Sequence, residues 1–129
     1  MIVLRLARDP SMLNVKRVVA GPGDRVEMTD GVLAVNGRTV GREVLGPVTS
    51  EGVTYSQIRE TLANDYSFLT FDQGTGGIYD TTKAFAVPGG HYFVLGDNRD
   101  VSSDSRVPPT RLGLGFIAAD SILGRAVVP

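Results

Sequence analysis

The sequence contains no cysteine and a single histidine, His91. The lack of cysteine excludes disulfides, thiol catalysis and thiolate metal sites. One histidine cannot build a metal cluster alone, and it supplies at most one member of a Ser-His catalytic arrangement. Chemistry in this chain must therefore depend on Ser, Lys, Asp or Glu side chains. We expect no metal and no cofactor.

Long apolar runs and an excess of charge are also missing. No stretch approaches the roughly 20 apolar residues of a membrane span, and Arg5 and Arg8 interrupt the apolar start at Ile2, so no signal peptide is indicated. The net charge is −1, and the basic pairs Arg5/Arg8 and Lys16/Arg17 are too sparse for a nucleic-acid footprint. We expect no nucleic-acid partner. Because the chain begins inside a predicted strand, we expect an upstream part.

Glycine and proline are abundant, with 16 and 7 residues, and they separate short apolar runs. This pattern predicts a mainly β protein with little helix. We predict one domain over residues 1–129 with a looser β insertion at about 46–84. A strand is favoured over a short helix at Val53–Leu62, because Val53, Thr54 and Tyr55 are poor helix formers. One helical turn is predicted at Ala118–Ile122, and Asn36-Gly37 is a type I′ turn candidate. The predicted strands are Ile2–Leu6, Val15–Val19, Arg25–Met28, Val32–Val35, Arg38–Val40, Val53–Leu62, Phe85–Val87, Tyr92–Leu95, Phe116–Ile117 and Ile122–Val128.

A polar stretch, "LGDNRDVSSDSR" (Leu95–Arg106), directly follows the apolar run Tyr92–Leu95. Such residues are typical of a solvated loop at the end of a strand. A calcium loop is excluded, because Arg99 and Val101 stand at ligand positions and Ser102 replaces the required glycine. The remaining alternative is the wall of a site, in which carboxylate–guanidinium pairs hold a hydroxyl in place.

Lys16 lies in the apolar run Val15–Val19. On a strand Lys16 shares a face with Val18, whereas Arg17 shares the other face with Val15 and Val19. Lys16 is either a lysine that extends to solvent at a strand edge or a general base. A base must be neutral, so its pKa must fall from about 10.4 toward about 7–8. Burial among the three valines would lower the pKa, because desolvation penalises the ammonium form.

Two blocks of the sequence together resemble type I signal peptidase, the bacterial membrane serine endopeptidase that removes signal peptides. They are "VKRVVAGPGDRV" (Val15–Val26) and "GDNRDVSSDSR" (Gly96–Arg106). The segments "DGVLAVNGRTV" (Asp30–Val40), "VPGGHYFVLGDNRD" (Val87–Asp100) and "ILGRAVV" (Ile122–Val128) also fit. The resemblance covers nearly the whole chain, and the motifs are similar to those of the proteobacterial branch of the family.

This resemblance implies a signal-peptidase-like β-barrel or sheet domain that uses no cofactor. Its substrates would be the signal peptides of exported preproteins. It would lie on the periplasmic side of the inner membrane, attached through an N-terminal segment that this chain lacks. The resemblance also assigns roles to matching positions: Lys16 is the general base, Arg17 pairs with Asp97, the Ser102 hydroxyl orients the lysine ammonium, and Asp104 with Arg106 forms an ion pair under the site.

The sequence departs from the family pattern in three places. Val101 stands where the family usually has Asn, and Ala20-Gly21 replaces Gly-Leu. The nucleophile block, Pro-Ser-x-Ser-Met-x-Pro, is absent. Ser11 is a poor substitute, because Asn14 stands where the second proline belongs and a five-residue separation puts Ser11 and Lys16 on opposite faces of a strand. We therefore expect no nucleophile in this chain, and no activity from the chain alone.

Two alternatives belong to other classes. A non-catalytic relative would keep the fold as a binding or scaffold module, but it has no reason to retain Lys16, Ser102, Asp104 and Arg106 together. The Ser/Lys autoproteases of the SOS response need an Ala-Gly cleavage site joined to a DNA-binding region, and Ala20-Gly21 lies inside the lysine block instead. The enzyme hypothesis is therefore favoured.

Overall fold

A computed structural model of the chain describes residues 1–5, 13–73, 77–100, 102–111 and 113–126. The described residues are mostly β, as predicted, with single turns of 3-10 helix at Pro109–Arg111 and Ala119–Ser121. No helix in these ranges is long and apolar enough to cross a membrane. The strands are β1 (Ile2–Arg5), β2 (Leu13–Ala20), β3 (Arg25–Thr29), β4 (Val32–Val35), β5 (Arg38–Thr39), β6 (Gly41–Ser50), β7 (Val53–Thr61), β8 (Ser67–Asp72), β9 (Phe85–Ala86), β10 (His91–Leu95), β11 (Ile117–Ala118) and β12 (Ile122–Arg125).

The chain divides into two compact units. The first contains Met1–Asp24, Ala86–Gly96 and Ser103–Pro129, and the second contains Arg25–Phe85 and Asp97–Ser102. The polar stretch is shared between the two units: its middle, Asp97–Ser102, belongs to the second unit, and both of its ends belong to the first. That residues 1–129 fold as a single domain stays a prediction.

The first unit is built on a five-stranded sheet in the order β11-β10-β2-β1-β12. Leu4, Val94 and Ile117 lie on three strands of this sheet and form its buried apolar cluster. The half-buried residues packed against this cluster are Ile2, Val18, Leu114 and Ile122. The two strands β2 and β10 are antiparallel neighbours, so the lysine strand lies beside the strand that leads into the polar stretch.

The second unit contains a sheet in the order β5-β4-β3-β9 and a three-stranded sheet in the order β6-β7-β8. The turn between β4 and β5 has positive φ at both Asn36 (54°) and Gly37 (80°), which is the geometry of the predicted type I′ turn. The strand β7 confirms the choice of strand over helix for this region. The neighbouring strands β6 and β8 were not predicted.

Candidate active site

Lys16 lies in the middle of β2 and is half-buried. Its antiparallel partner on β1 is Ile2, and residues opposite each other in such a pair share a face. Both Ile2 and the next residue of the same face, Val18, pack against the apolar cluster. The sequence-based argument for burial needs a correction: Val15 and Val19 lie on the other face, and Val15 is 51% exposed. Of the three valines only Val18 shares the face of Lys16, with Ile2 across the strand pair.

Arg17 follows on the opposite face of β2 and is also half-buried. Its register partner is Leu95, the last residue of β10. Leu95 is fully buried, and it is the first residue of the polar stretch. The lysine strand is therefore aligned with the point at which the polar stretch leaves the sheet.

The end of the polar stretch is fixed within the first unit by the buried ion pair of Asp104 and Arg106. The Arg106 Nε donates to Asp104 Oδ1 at 2.9 Å, and a second guanidinium nitrogen donates to Oδ2 at 3.0 Å. The backbone N–H of Gly96 also donates to Asp104 Oδ2, at 3.0 Å. The backbone N–H of Val94 donates to the hydroxyl of Ser105 at 2.8 Å, so both ends of the stretch are joined.

The middle of the polar stretch is fixed within the second unit. The N–H of Phe71 on β8 donates to the carbonyl of Asp97 at 2.8 Å, and the N–H of Arg99 donates to the carbonyl of Phe71 at 3.0 Å. The Arg99 guanidinium donates to Glu60 Oε1 on β7 at 2.9 Å, and both side chains are buried. The half-buried Ser102 therefore comes three residues after Arg99, whose backbone is hydrogen-bonded to β8.

Asp100 belongs to a group of three carboxylates with Asp72 and Asp80. Burial raises the pKa of the Asp100 carboxyl; a hydrogen bond with Asp72 and the negative charges of Asp72 and Asp80 also raise this pKa, while the Gln73 N–H lowers it. This N–H donates to Asp100 Oδ2 at 2.5 Å. The Asp100 carboxyl thus holds its proton more tightly than an ordinary aspartate. In the described part of the chain, no group of three or more His, Cys, Asp or Glu side chains could hold a metal ion.

The predicted site residues divide between the units. Lys16 and Arg17 belong to the first unit with Asp104 and Arg106, whereas Asp97 and Ser102 belong to the second. The structure brings Asp104 and Arg106 together as a buried pair. Ser11, the weak nucleophile candidate, and Val101 lie outside the described residues.

Sequence reasoning missed Glu60 and left Arg99 without a role. A signal for Glu60 was present, because it alternates with Ile58 on the predicted strand and therefore shares its face. Ile58 is buried and so is Glu60, at 1% exposure. A carboxylate on a core-facing position needs a cation, and the nearby sequence of β7 offers none on that face. The partner comes from the polar stretch instead.

Comparisons with known proteins agree with this description. A sequence profile of the family "Signal peptidase, peptidase S26" matches residues 1–129. Signal peptidase I of Rickettsia conorii is 35% identical over 132 residues, covering 97% of this chain and 48% of that protein. The Rickettsia typhi protein of the same name is 34% identical with the same coverage. A crystal structure of a signal peptidase I from Enterococcus faecalis V583 has a TM-score of 0.58 and 27% identity, covering 98% of this chain and 92% of that one.

The fold is thus the β fold of a signal peptidase domain. The chain belongs to the peptidase S26 family of signal peptidases, a family of serine peptidases. It spans about half the length of the Rickettsia relatives that it matches, at 48% of each.

Proposed function

We propose that the protein containing this chain is a signal peptidase I. It removes N-terminal signal peptides from exported preproteins by hydrolysing the peptide bond after a small-x-small motif. The observation that carries this proposal is the family match over residues 1–129 together with a half-buried lysine on the apolar side of β2. The inner membrane, with this domain on the periplasmic side, is the proposed location, and the segment outside this chain supplies the anchor.

Lys16 is the proposed general base. A serine hydroxyl from the nucleophile block outside this chain attacks the peptide carbonyl, and the neutral amine of Lys16 takes the hydroxyl proton. The resulting ammonium gives this proton to the departing amine, and an acyl-enzyme remains. Lys16 then takes a proton from the water that attacks the ester and gives it to the departing serine oxygen, so the free amine and the serine hydroxyl are both regenerated in each cycle. The apolar neighbours Ile2 and Val18 favour the neutral amine.

The polar stretch is proposed to orient this base. The family resemblance assigns the Ser102 hydroxyl to hold the lysine nitrogen and Asp97 to pair with Arg17. The buried pair of Asp104 and Arg106 supports the assignment, because it fixes the end of the stretch two residues after Ser102. A hydroxyl orients a base well only when its own backbone is held in place.

The experiment is cleavage of a purified preprotein by the whole protein in detergent, with the product mass measured. We expect one product that begins directly after the small-x-small motif. The 129-residue chain alone should give no product, because it lacks the nucleophile block. Cleavage by this chain that is lost in Ser11→Ala would make Ser11 the nucleophile. No cleavage by the whole protein would favour the non-catalytic binding module.

A further inference from the structure

A second buried ion pair, between Arg99 and Glu60, has no assigned role in the proposed reaction. The guanidinium donates to Glu60 Oε1 at 2.9 Å, and the two side chains are 4% and 2% exposed. The other Glu60 oxygen lies 3.3 Å from the hydroxyl of Thr70. Apolar residues of similar volume would often fill such a space with equal or greater stability. Stability alone is therefore a weak explanation for this pair.

The location of Arg99 gives the pair a second effect. Its backbone N–H is bonded to the Phe71 carbonyl, and Phe71 in turn donates to the carbonyl of Asp97. Arg99 is thus attached to β8 by its backbone and to β7 by its side chain. Ser102 is three residues further along, which limits its distance from Arg99 to roughly 10 Å. Fixing Arg99 therefore restricts where the Ser102 hydroxyl can lie.

We propose that Glu60 is a positioning residue that holds Ser102 in place through Arg99. The three-stranded sheet β6-β7-β8 then serves as the support of residues 97–99, which precede Ser102. This inference rests on the proposed function, in which Ser102 orients the general base. The side-chain partners of Glu60 are Arg99 and Thr70, so its effect on the base would pass through Arg99.

The test replaces both charges, because a single replacement leaves a buried charge without its counterion. Glu60→Leu combined with Arg99→Met keeps similar volumes and removes the ionic and hydrogen-bonded link. The matched control is Glu43→Leu combined with Arg59→Met. This pair joins β6 and β7 of the same sheet at 2.6 Å, but its side chains are 62% and 48% exposed and neither residue pairs with a residue of the polar stretch in this ion pair.

In the whole protein, the Glu60/Arg99 double variant should fold and lose kcat by roughly 10- to 100-fold, the scale of a misplaced catalytic group. The KM should stay within about twofold, because Glu60 does not bind substrate. The Glu43/Arg59 variant should retain both constants. A folded Glu60/Arg99 variant with the kcat of the unmodified protein would overturn the inference, since the pair would then be structural only.

A second measurement does not depend on peptidase activity. The amide at position 99 should exchange with solvent at least about tenfold faster in the Glu60/Arg99 variant, because local opening no longer breaks an ion pair. The amide of Ile58 on β7 should keep its protection and so exclude global unfolding. Unchanged exchange at position 99 would contradict the inference. If exchange at position 99 is faster in the variant but the unmodified whole protein never cleaves preprotein, the Glu60–Arg99 pair still holds the backbone at position 99. The proposed peptidase function is then rejected.

Discussion

At the scale of single residues, the charges of Asp104 and Arg106 are almost completely removed from water, with 0% and 1% of their side chains exposed. Such burial is tolerable only because both carboxylate oxygens accept hydrogen bonds. Oδ1 accepts from the Arg106 side chain and from its backbone N–H at 3.1 Å, and Oδ2 accepts from Gly96. Because Asp104 also accepts from Gly96, the ion pair is joined to the start of the polar stretch.

Arg106→Ala should lower the free energy of unfolding by about 3–5 kcal/mol, because it leaves the Asp104 carboxylate buried without its counterion. The control is Arg59→Ala, which breaks the exposed pair with Glu43 and should cost about 0–1 kcal/mol. Urea titration of both variants measures the difference. Equal losses in the two variants would show that Asp104 is hydrated in solution.

Asp100→Asn should raise the melting temperature at neutral pH. The raised pKa means that the folded protein binds the Asp100 proton more tightly than the unfolded chain does. This contribution to stability is fully present below about pH 3.9, the ordinary aspartate value, and is lost as pH rises through the folded pKa. Asparagine mimics the protonated carboxyl and removes its repulsion with Asp72 and Asp80.

Melting curves between pH 3 and pH 8 check this prediction, with the exposed Asp120→Asn as control. The advantage of Asp100→Asn should disappear at the acid end of the range. A variant that is less stable than the unmodified protein at pH 7 would mean that the carboxylate is stabilised by its contacts with Gln73 rather than strained by its neighbours.

At the scale of strands, most of the fold could be predicted where apolar residues alternate between turn residues. β3 shows this pattern, with Val26 and Met28 buried and their neighbours exposed. β6 escaped prediction because nearly all of its positions are exposed, so no apolar face exists to reveal the period. β8 escaped because a polar residue, Thr70, occupies a buried position.

The candidate site, like the strands, could be predicted only where the local sequence carries a pattern. Lys16 and the charged residues of the polar stretch were recognisable from their local sequence. The partnership of Glu60 with Arg99 joins residues 39 positions apart and depends on the pairing of β7 with β8, which no local pattern contains. Pairings of this kind are decided by tertiary packing rather than by the neighbouring residues.

Gly37→Ala tests the β4–β5 turn. The residue has φ of +80°, and no atom lies within 4 Å of the position of an added Cβ, so the penalty comes from the backbone alone. We expect a loss of about 1–2 kcal/mol in the free energy of unfolding. Gly89→Ala is the control, because that position is equally open and lacks a positive φ. Similar urea midpoints for both variants would contradict a type I′ turn in solution.

At the scale of the whole molecule, the family match covers the full chain while the relatives are about twice as long. Under the proposed function, this chain supplies the base and its support, and the rest of the protein supplies the nucleophile and the membrane anchor. In the whole protein, the rate of preprotein cleavage should rise with pH as Lys16 loses its proton. The rise should be complete well below the value of about 10.4 of a free lysine.

Lys16→Arg should abolish this activity at every pH, because a guanidinium stays protonated in proteins and cannot accept the serine proton. The far-ultraviolet circular dichroism spectrum should be unchanged, since the arginine is of similar length and Lys16 is only half-buried on its strand. Activity in this variant that rises with pH would assign the titration to another group.

The most direct measurement compares Lys16→Met with Lys83→Met in the whole protein acting on a preprotein. These are the two lysines of the chain, and methionine keeps the apolar stem of each while removing the amine. Lys83 is exposed and lies outside the proposed site, so its variant should cleave at the rate of the unmodified protein. Lys16→Met should stay folded and release no signal peptide. Undiminished cleavage by Lys16→Met would contradict the assignment of Lys16 as the base.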